Sequence, residues 1–180
     1  MVWEYKIKRE ILIMTMQMND YVYYNGKKYH LVALEKQKSL VNSADFNIDN
    51  TIFETACYRG YFAEYFIEKD FIFGIKHNFD EKSAKMKMMY TGSMIIAFSK
   101  DEYISAQFID SYLDFDEALE LYFIDGELVE ITDLAVAIEK WKQIKKKEWT
   151  NTRQGWDLKR NFATEHLQYE YDDYKYTHGR

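Results

Sequence analysis

The chain has 180 residues and a formal net charge of −6, so it is long enough to bury the core of one ordinary domain. Its one cysteine cannot form an internal disulfide, and no apolar run approaches the roughly 20 residues that a membrane-spanning helix needs. These features exclude a disulfide-stapled protein and a helical membrane protein, and they predict a cytoplasmic one. The 16 tyrosines and 12 phenylalanines favour a β-rich fold, because aromatic side chains fit pleated, half-buried strands.

The acidic balance also bears on the kind of partner. Binding to nucleic acid draws most of its affinity from cations laid along the phosphates, so an acidic chain argues against nucleic acid as the main ligand. A basic protein is a better match for it. The alternative is that the acidic surface only keeps the protein in solution.

The segment 1–18 allows two interpretations. Apolar and polar residues alternate in its first part, as they do in a strand. Alternatively, the segment is an N-terminal extension or the product of an upstream start, with the native chain beginning at Met14, Met16 or Met18. It lacks the apolar core and small-residue cleavage site of a secretory signal.

The first two strand pairs are predicted from turn chemistry. Asn25-Gly26 separates YVYY from YHLVALE, and this dipeptide accepts the positive φ angles of a tight β-turn. A second pair, IFETACYRGYFAEYFI and FIFGIKHNF, joins around residues 68–70. Alternation in the second arm groups five residues on one face, which is predicted to be the core face. They are Phe71, Phe73, Ile75, His77 and Phe79.

The next segments are less regular. Residues 80–92 read as an irregular connection or a short helix, and SMIIAFS after them reads as a strand. Residues 102–115 fit neither the helical nor the strand period well. Residues 117–131 are predicted to form a third hairpin that turns at Asp125-Gly126.

A helix is predicted to follow, with Thr132 and Asp133 as its N-cap and its end near Trp149. Its apolar stripe is expected to pack on the sheet. The stripe consists of Leu134, Ala137, Ile138, Trp141 and Ile144. Residues 150–180 have poor periodicity and read as a tail of uncertain order. The overall prediction is one α+β domain over residues 19–149, mainly antiparallel hairpins curled into a sandwich or partial barrel, with one C-terminal amphipathic helix.

The stretch TACYRGYFAEYF sets the cysteine and a lone arginine among aromatic residues. Cys57 is interpreted as a small buried hydrophobe, because no histidine or helix N-terminus nearby in sequence would activate its thiol. Arg59 either pairs with an internal carboxylate or holds an anionic ligand. In the second case, Arg59, Tyr61 and His77 are predicted to bind a small ligand in an aromatic barrel cavity.

Carboxylates are concentrated in one short interval of the chain. The five are Asp110, Asp114, Asp116, Glu117 and Glu120. Such groups can do acid and base work, but the interval offers neither a nucleophile nor a glycine-rich phosphate loop. It reads either as a solvated face or as an acidic patch that engages a basic protein by mimicking phosphates.

Two other features of the sequence are candidate binding sites. The basic segment 142–160 interleaves lysine, arginine and tryptophan, which suits either binding to nucleic acid or an anionic membrane, or a solvated helix end with its loop. The second interpretation is preferred within an acidic chain. The four histidines are too far apart in sequence for a metal site, so neither a metal nor a cofactor is predicted.

TACYRGYFAEYF and FDEALELYFIDGELVE resemble segments of small bacterial β-rich proteins, most of them uncharacterised. In size, acidity and lack of a catalytic motif, the chain also resembles the immunity proteins that neutralise bacterial toxins. This resemblance implies a non-enzymatic cytoplasmic protein that occludes the active site of a basic toxin, with the five carboxylates as its partner-facing patch. The alternatives are the small-ligand-binding barrel and an enzyme whose site is assembled from scattered residues.

Overall fold

The computed structural model describes residues 19–35, 40, 46, 60–78, 82–100, 111–148 and 153–167. The N-terminal segment 1–18 lies outside this part, and so do Cys57, Arg59, Phe79 and Asp110. The strands are β1 (Tyr21–Tyr24), β2 (Lys27–Leu34), β3 (Phe62–Glu68), β4 (Phe71–His77), β5 (Met86–Lys87), β6 (Gly92–Phe98), β7 (Glu117–Ile124) and β8 (Glu127–Asp133). A 3-10 helix (Tyr112–Asp114) precedes β7, and the α-helices are α1 (Ala135–Glu148) and α2 (Arg153–Glu165).

Three tight turns build the hairpins β1–β2, β3–β4 and β7–β8. Both central residues of each turn have positive φ, which matches the right-handed twist of the flanking strands. The pairs are Asn25-Gly26 (49° and 74°), Lys69-Asp70 (49° and 65°) and Asp125-Gly126 (48° and 81°). The three predicted hairpins are therefore confirmed, and SMIIAFS is confirmed as most of β6.

The strands form a closed barrel. Their order is β3-β1-β2-β6-β7-β8-β4-β5, and an additional pairing of β3 with β4 closes seven of them into a ring. All pairs are antiparallel except β1 with β3, which run parallel with Tyr21 opposite Glu64. The closed ring and its parallel pair correct the prediction of a mainly antiparallel sandwich or partial barrel, although the β-rich α+β class is confirmed.

The barrel interior is filled by large side chains from every wall. Tyr65, Ile72, Met94, Leu121 and Phe123 are all fully buried there. Each Å² of apolar surface that leaves water in this interior stabilises the folded state by roughly 25 cal/mol. This burial is the main contribution to the stability of the fold.

A second core lies between the outside of the barrel and the helices. Ile95 and Ala97 of β6 and Ala118 of β7 pack there against the apolar stripe of α1, in which Ile138 and Trp141 are 1% and 5% exposed. The Asp133 carboxylate accepts a hydrogen bond from the Ala135 N–H at 2.8 Å and so begins α1. The predicted helix, its cap at Asp133 and its buried stripe are confirmed.

The predicted core face of β4 is wrong for Phe71, Phe73 and His77, which are only half-buried, although Ile75 is 8% exposed. The side chains that point into the barrel come from Ile72, Gly74 and Lys76, and both Ile72 and Lys76 are 0% exposed. The aromatic face points outward, where lysine side chains cover it: Lys87 Nζ lies 3.5 Å from the ring centroid of Phe71. Alternation separates the two faces of a strand, but it does not show which face meets the interior when lysine stems cover the other.

The C-terminal segment contains a helix that its periodicity did not predict. Ala163 of α2 is fully buried in the outer core, and its carbonyl accepts a hydrogen bond from the Tyr112 hydroxyl at 2.9 Å. Within residues 153–165 the chain therefore forms a second helix against the domain, beyond the single helix of the prediction. No described helix is long and apolar enough to cross a lipid bilayer.

Candidate functional site

Two of the predicted partner-facing carboxylates hold neighbouring segments of the chain. Asp114 forms an ion pair with Lys159 of α2, with 2.6 Å between Oδ2 and Nζ. Asp116 accepts hydrogen bonds from the Lys100 N–H at 2.9 Å and the Ser99 hydroxyl at 3.2 Å. The bond from the Lys100 N–H, supported by the Ser99 hydroxyl and nearby lysine charges, lowers the pKa of Asp116.

Glu117 connects β7 with β2, and these two strands lie on either side of β6. Glu117 forms an ion pair with Lys27 and accepts a hydrogen bond from the Tyr29 hydroxyl at 2.6 Å. Partial burial alone would raise the pKa of Glu117, but the two hydrogen bonds and the Lys27 charge outweigh it, and the pKa is lowered. Burial and the bond to Glu117 raise the pKa of Tyr29. This carboxylate is committed to an internal contact.

Glu120 lies in the interior and is only 2% exposed. Alternation along β7 places it on the same face as Ala118, which packs beneath α1. Burial, together with the charge of Glu120, raises the pKa of the Tyr112 hydroxyl. Its burial corrects the assignment of Glu120 to an exposed patch, because the helix layer covers this face of the strand.

Of the predicted small-ligand trio, Arg59 lies outside the described residues, and Tyr61 and His77 do not converge on one cavity. Tyr61 faces the barrel interior and is 8% exposed, whereas His77 lies on the outer face of β4, across the wall. The interior cation is instead Lys76, whose Nζ lies 4.9 Å from the ring centroid of Tyr61. Packing around it is tight: a Cβ added at Gly74 would lie 2.9 Å from the Met88 sulfur.

His77 belongs to a cluster on the outer wall. Its Nε2 lies 3.0 Å from Glu64 Oε2, and its ring stacks on Phe62 with 4.8 Å between centroids. The Tyr23 hydroxyl donates to the other oxygen of Glu64 at 2.8 Å. Burial, with the bond to Glu64, raises the pKa of Tyr23 to about 12. The cluster binds β1, β3 and β4 together as a structural contact.

Most of the exposed large hydrophobic side chains of the described residues lie on and beside β8. We name this region the β8 surface, and it combines exposed aliphatic side chains with exposed carboxylates. Its members are Ile124, Asp125, Glu127, Val129, Glu130, Ile131 and Asp133. Val129 and Ile131 are 49% and 48% exposed, and Ile124 is 46% exposed. Large apolar side chains with this much exposure in one short strand mark an interaction site better than singly scattered ones.

The β8 surface extends at both ends. Val136 (66% exposed) continues it onto α1, where the exposed Glu139 forms an ion pair with Lys142 at 3.2 Å. Met89 (72% exposed) lies beside the β7–β8 turn, since a Cβ on Gly126 would be 3.7 Å from Met89 Cα. Met side chains adapt to irregular partner surfaces.

One sequence signal could have revealed this surface. Residues 121–139 contain Asp125, Glu127, Glu130, Asp133 and Glu139 and no lysine, arginine or histidine. The sequence interpretation placed the acidic patch one segment earlier, because carboxylates are denser in residues 110–120. Density in sequence did not show that those side chains are engaged internally.

Comparisons with protein-family models, with curated protein sequences and with solved structures find no match to this chain. Among the described residues, no three His, Cys, Asp or Glu side chains lie close enough together to hold a metal ion. Function must therefore be argued from the surfaces themselves.

Proposed function

We propose that this protein binds a basic protein through the β8 surface, as an immunity protein binds a toxin. The observation that carries the proposal is the joint exposure of aliphatic and acidic side chains along β8. Specific interfaces place apolar groups at the centre of the contact and polar groups around them. A strand that presents Val129 and Ile131 beside the exposed Glu127 has both components.

The local charge determines which kind of partner the β8 surface attracts. The absence of basic residues from position 121 to 139 makes the local potential negative, which accelerates the approach of a positively charged partner and repels acidic ones. A toxin that acts on nucleic acid carries a basic active site, and an acidic face that covers it takes the place of the phosphates. The proposed role of the protein is to bind its partner and not to catalyse a reaction.

The test uses tagged protein expressed in its own host and captured at low salt, with mass spectrometry of the retained proteins. Two variants are compared with the wild type: Glu127→Lys in the β8 surface, and Glu165→Lys on the exposed face of α2. Both replacements change the formal net charge of −6 by the same +2, so they are matched in overall charge.

We expect one basic protein in stoichiometric amount with the wild type and with Glu165→Lys. Its recovery should fall by roughly tenfold with Glu127→Lys, because a like charge replaces an attractive one, and it should decrease as salt rises. Equal recovery with the two variants would remove the β8 surface from the proposal, and the absence of any basic protein would remove the basic partner.

A further inference from the structure

The inference concerns the backbone of β8 and depends on the proposed function. On one side, β8 pairs with β7 along its whole length, from Ile124 opposite Glu127 to Leu119 opposite Asp133. The Leu134 N–H donates to the Ala118 carbonyl at 3.0 Å just beyond the end of this ladder. In an antiparallel pair, directly opposed residues are alternately bonded and non-bonded.

That alternation fixes the direction of the backbone groups. Because Leu134 and Ala118 bond to each other, Thr132 opposite Glu120 belongs to the bonded set. Ile131 and Asp133 belong to the other set, so their N–H and C=O groups point away from β7. They form the outer edge of β8.

Little of the described chain pairs with this edge. β4 meets β8 at one residue pair, Phe71 with Glu127, and the Leu128 N–H donates to the Asp70 carbonyl at 2.6 Å. Further along, β4 pairs with the two-residue strand β5 instead. From Val129 to Asp133, no described strand is paired with the outer edge of β8.

Side-chain exposure agrees with an open edge. Ile131 lies opposite Leu121, whose side chain is fully buried in the barrel interior, yet Ile131 is 48% exposed. β8 contains neither proline nor lysine, two residues that commonly protect an edge strand from pairing, and its irregularity against β7 lies before Glu130. An added strand would cover Ile131 and satisfy the outward backbone groups.

We infer that the partner binds by adding an extended strand to the outer edge of β8 at residues 129–133. The matching segment alternates basic residues, which complement the negative charge of residues 121–139, with aliphatic residues, which pack on Ile131. Main-chain hydrogen bonds supply affinity in this mode, and alternate side chains supply specificity. A second copy of this chain is a poor occupant, because two β8 strands would bring ten carboxylates of the 121–139 segments together, five from each.

The probe for this inference is a seven-residue peptide, acetylated and amidated, that alternates lysine with valine. A matched peptide has the same side chains but carries an N-methyl group on every residue, so neither of its edges can donate the interstrand hydrogen bonds. Binding is measured by NMR titration of the whole chain, together with hydrogen exchange of the β8 amides.

We expect the unmethylated peptide to bind at least tenfold more tightly than the methylated one. The amides of Ile131 and Asp133 should gain protection, while that of Thr132, already bonded to β7, should change little. Equal binding of both peptides would overturn strand addition but leave a basic partner on the β8 surface intact. Binding by neither peptide would also overturn strand addition, and the capture experiment then decides the proposed function independently.

Two further measurements test whether binding needs the Ile131 N–H and whether the variants fold. Ile131→Pro removes the outward-directed N–H together with the Ile side chain, whereas Ile131→Ala shortens the side chain and keeps the N–H. Peptide binding should therefore be lost in Ile131→Pro and only weakened in Ile131→Ala. Thermal unfolding of both variants checks that they fold. If the Ile131 and Asp133 amides are already protected without peptide, another segment of this chain or a second copy occupies the edge, and the inference is wrong.

Discussion

Strands β7 and β8 are hydrogen-bonded neighbours, yet their aliphatic side chains have opposite surroundings. Ala118 on the outer face of β7 and Ile95 beside it on β6 are fully buried beneath α1. On β8, Val129 and Ile131 are about half exposed. The residue types are similar, so the packing around each strand and not its sequence makes the difference: α1 covers the first pair, whereas Ile131, on the interior side of β8 opposite Leu121, remains 48% exposed. We call the first region the covered wall.

The comparison separates two uses of apolar surface. On the covered wall, burial stabilises the fold, because the side chains leave water when α1 packs on them. On the β8 surface the same chemistry remains in water in the unbound protein, where it contributes little to folding and is available to a partner. Substitutions should therefore divide the two regions into one that governs stability and one that governs binding.

The largest effect is expected from Trp141→Ala on the covered wall. Trp141 is 5% exposed and fills the space between α1 and α2, where its ring lies 5.5 Å from that of Phe162. Its removal should leave a cavity and reduce the free energy of unfolding by about 3–5 kcal/mol. Urea denaturation followed by circular dichroism measures the change.

Ile131→Ala is the matched substitution on the β8 surface. Half of the Ile131 side chain is already in water, so its truncation should cost less than about 1 kcal/mol. Comparable losses for Trp141→Ala and Ile131→Ala would contradict the division, since they would show that β8 is as tightly covered as β6.

An intermediate effect is expected at the turn that attaches the β8 surface to the rest of the barrel. Gly126 has φ of +81°, and a Cβ there would lie 2.0 Å from the Met88 carbonyl oxygen. Gly26 in the β1–β2 turn has φ of +74° with nothing within 4 Å of its Cβ position. Gly26→Ala should therefore cost only the backbone strain, roughly 1–2 kcal/mol, and Gly126→Ala at least 1 kcal/mol more.

Thermal unfolding of the two glycine variants measures this difference. If Gly126→Ala is no less stable than Gly26→Ala, the β7–β8 turn does not rest on Met88.

The smallest effect concerns acid stability. The pKa of Glu117 is below its ordinary value of 4.5 in the folded protein, so between the two values the unfolded chain binds more protons. The stabilisation is therefore complete above about pH 4.5 and is lost as the pH falls through the folded pKa. Glu117→Gln should make the midpoint of urea denaturation less dependent on pH below 4.5.

Tyr29→Phe is the companion variant, because it removes one of the two donors to Glu117 and leaves Lys27 in place. It should give an acid dependence between those of the wild type and Glu117→Gln. An unchanged dependence in Glu117→Gln would assign the acid response to other carboxylates, such as Asp116.

Local chemistry predicted the local structure well. Asn25-Gly26 and Asp125-Gly126 specify their turns because few residues tolerate positive φ, and Asp133 specifies the start of α1 because its carboxylate reaches the Ala135 N–H. These signals act over a few residues and do not depend on the remainder of the fold. The hairpins and the helix could therefore be predicted before their arrangement was known.

The misassigned features depend on contacts between distant segments. Nothing in the sequence near Glu120 shows that α1 covers it, and nothing near Phe71 shows that Lys87 covers its ring on the outside of the barrel. The carboxylates of residues 114–117 look solvated until Lys159, Lys100 and Lys27 are brought to them. The sequence contained the acidic and aliphatic residues of the β8 surface, but only the packing distinguishes it from the covered wall.

The parallel pairing of β1 with β3 has a consequence for protein synthesis. The Asp20 carboxylate accepts a hydrogen bond from the Ala63 N–H, 43 residues later, and β2 must also wait for β6 before it acquires its second neighbour. At roughly 5–20 residues per second, translation leaves the first hairpin with unpaired edges for several seconds. During this interval the nascent chain can associate with other chains through its unpaired edges. Chaperones that bind extended segments can bind it at the same stage.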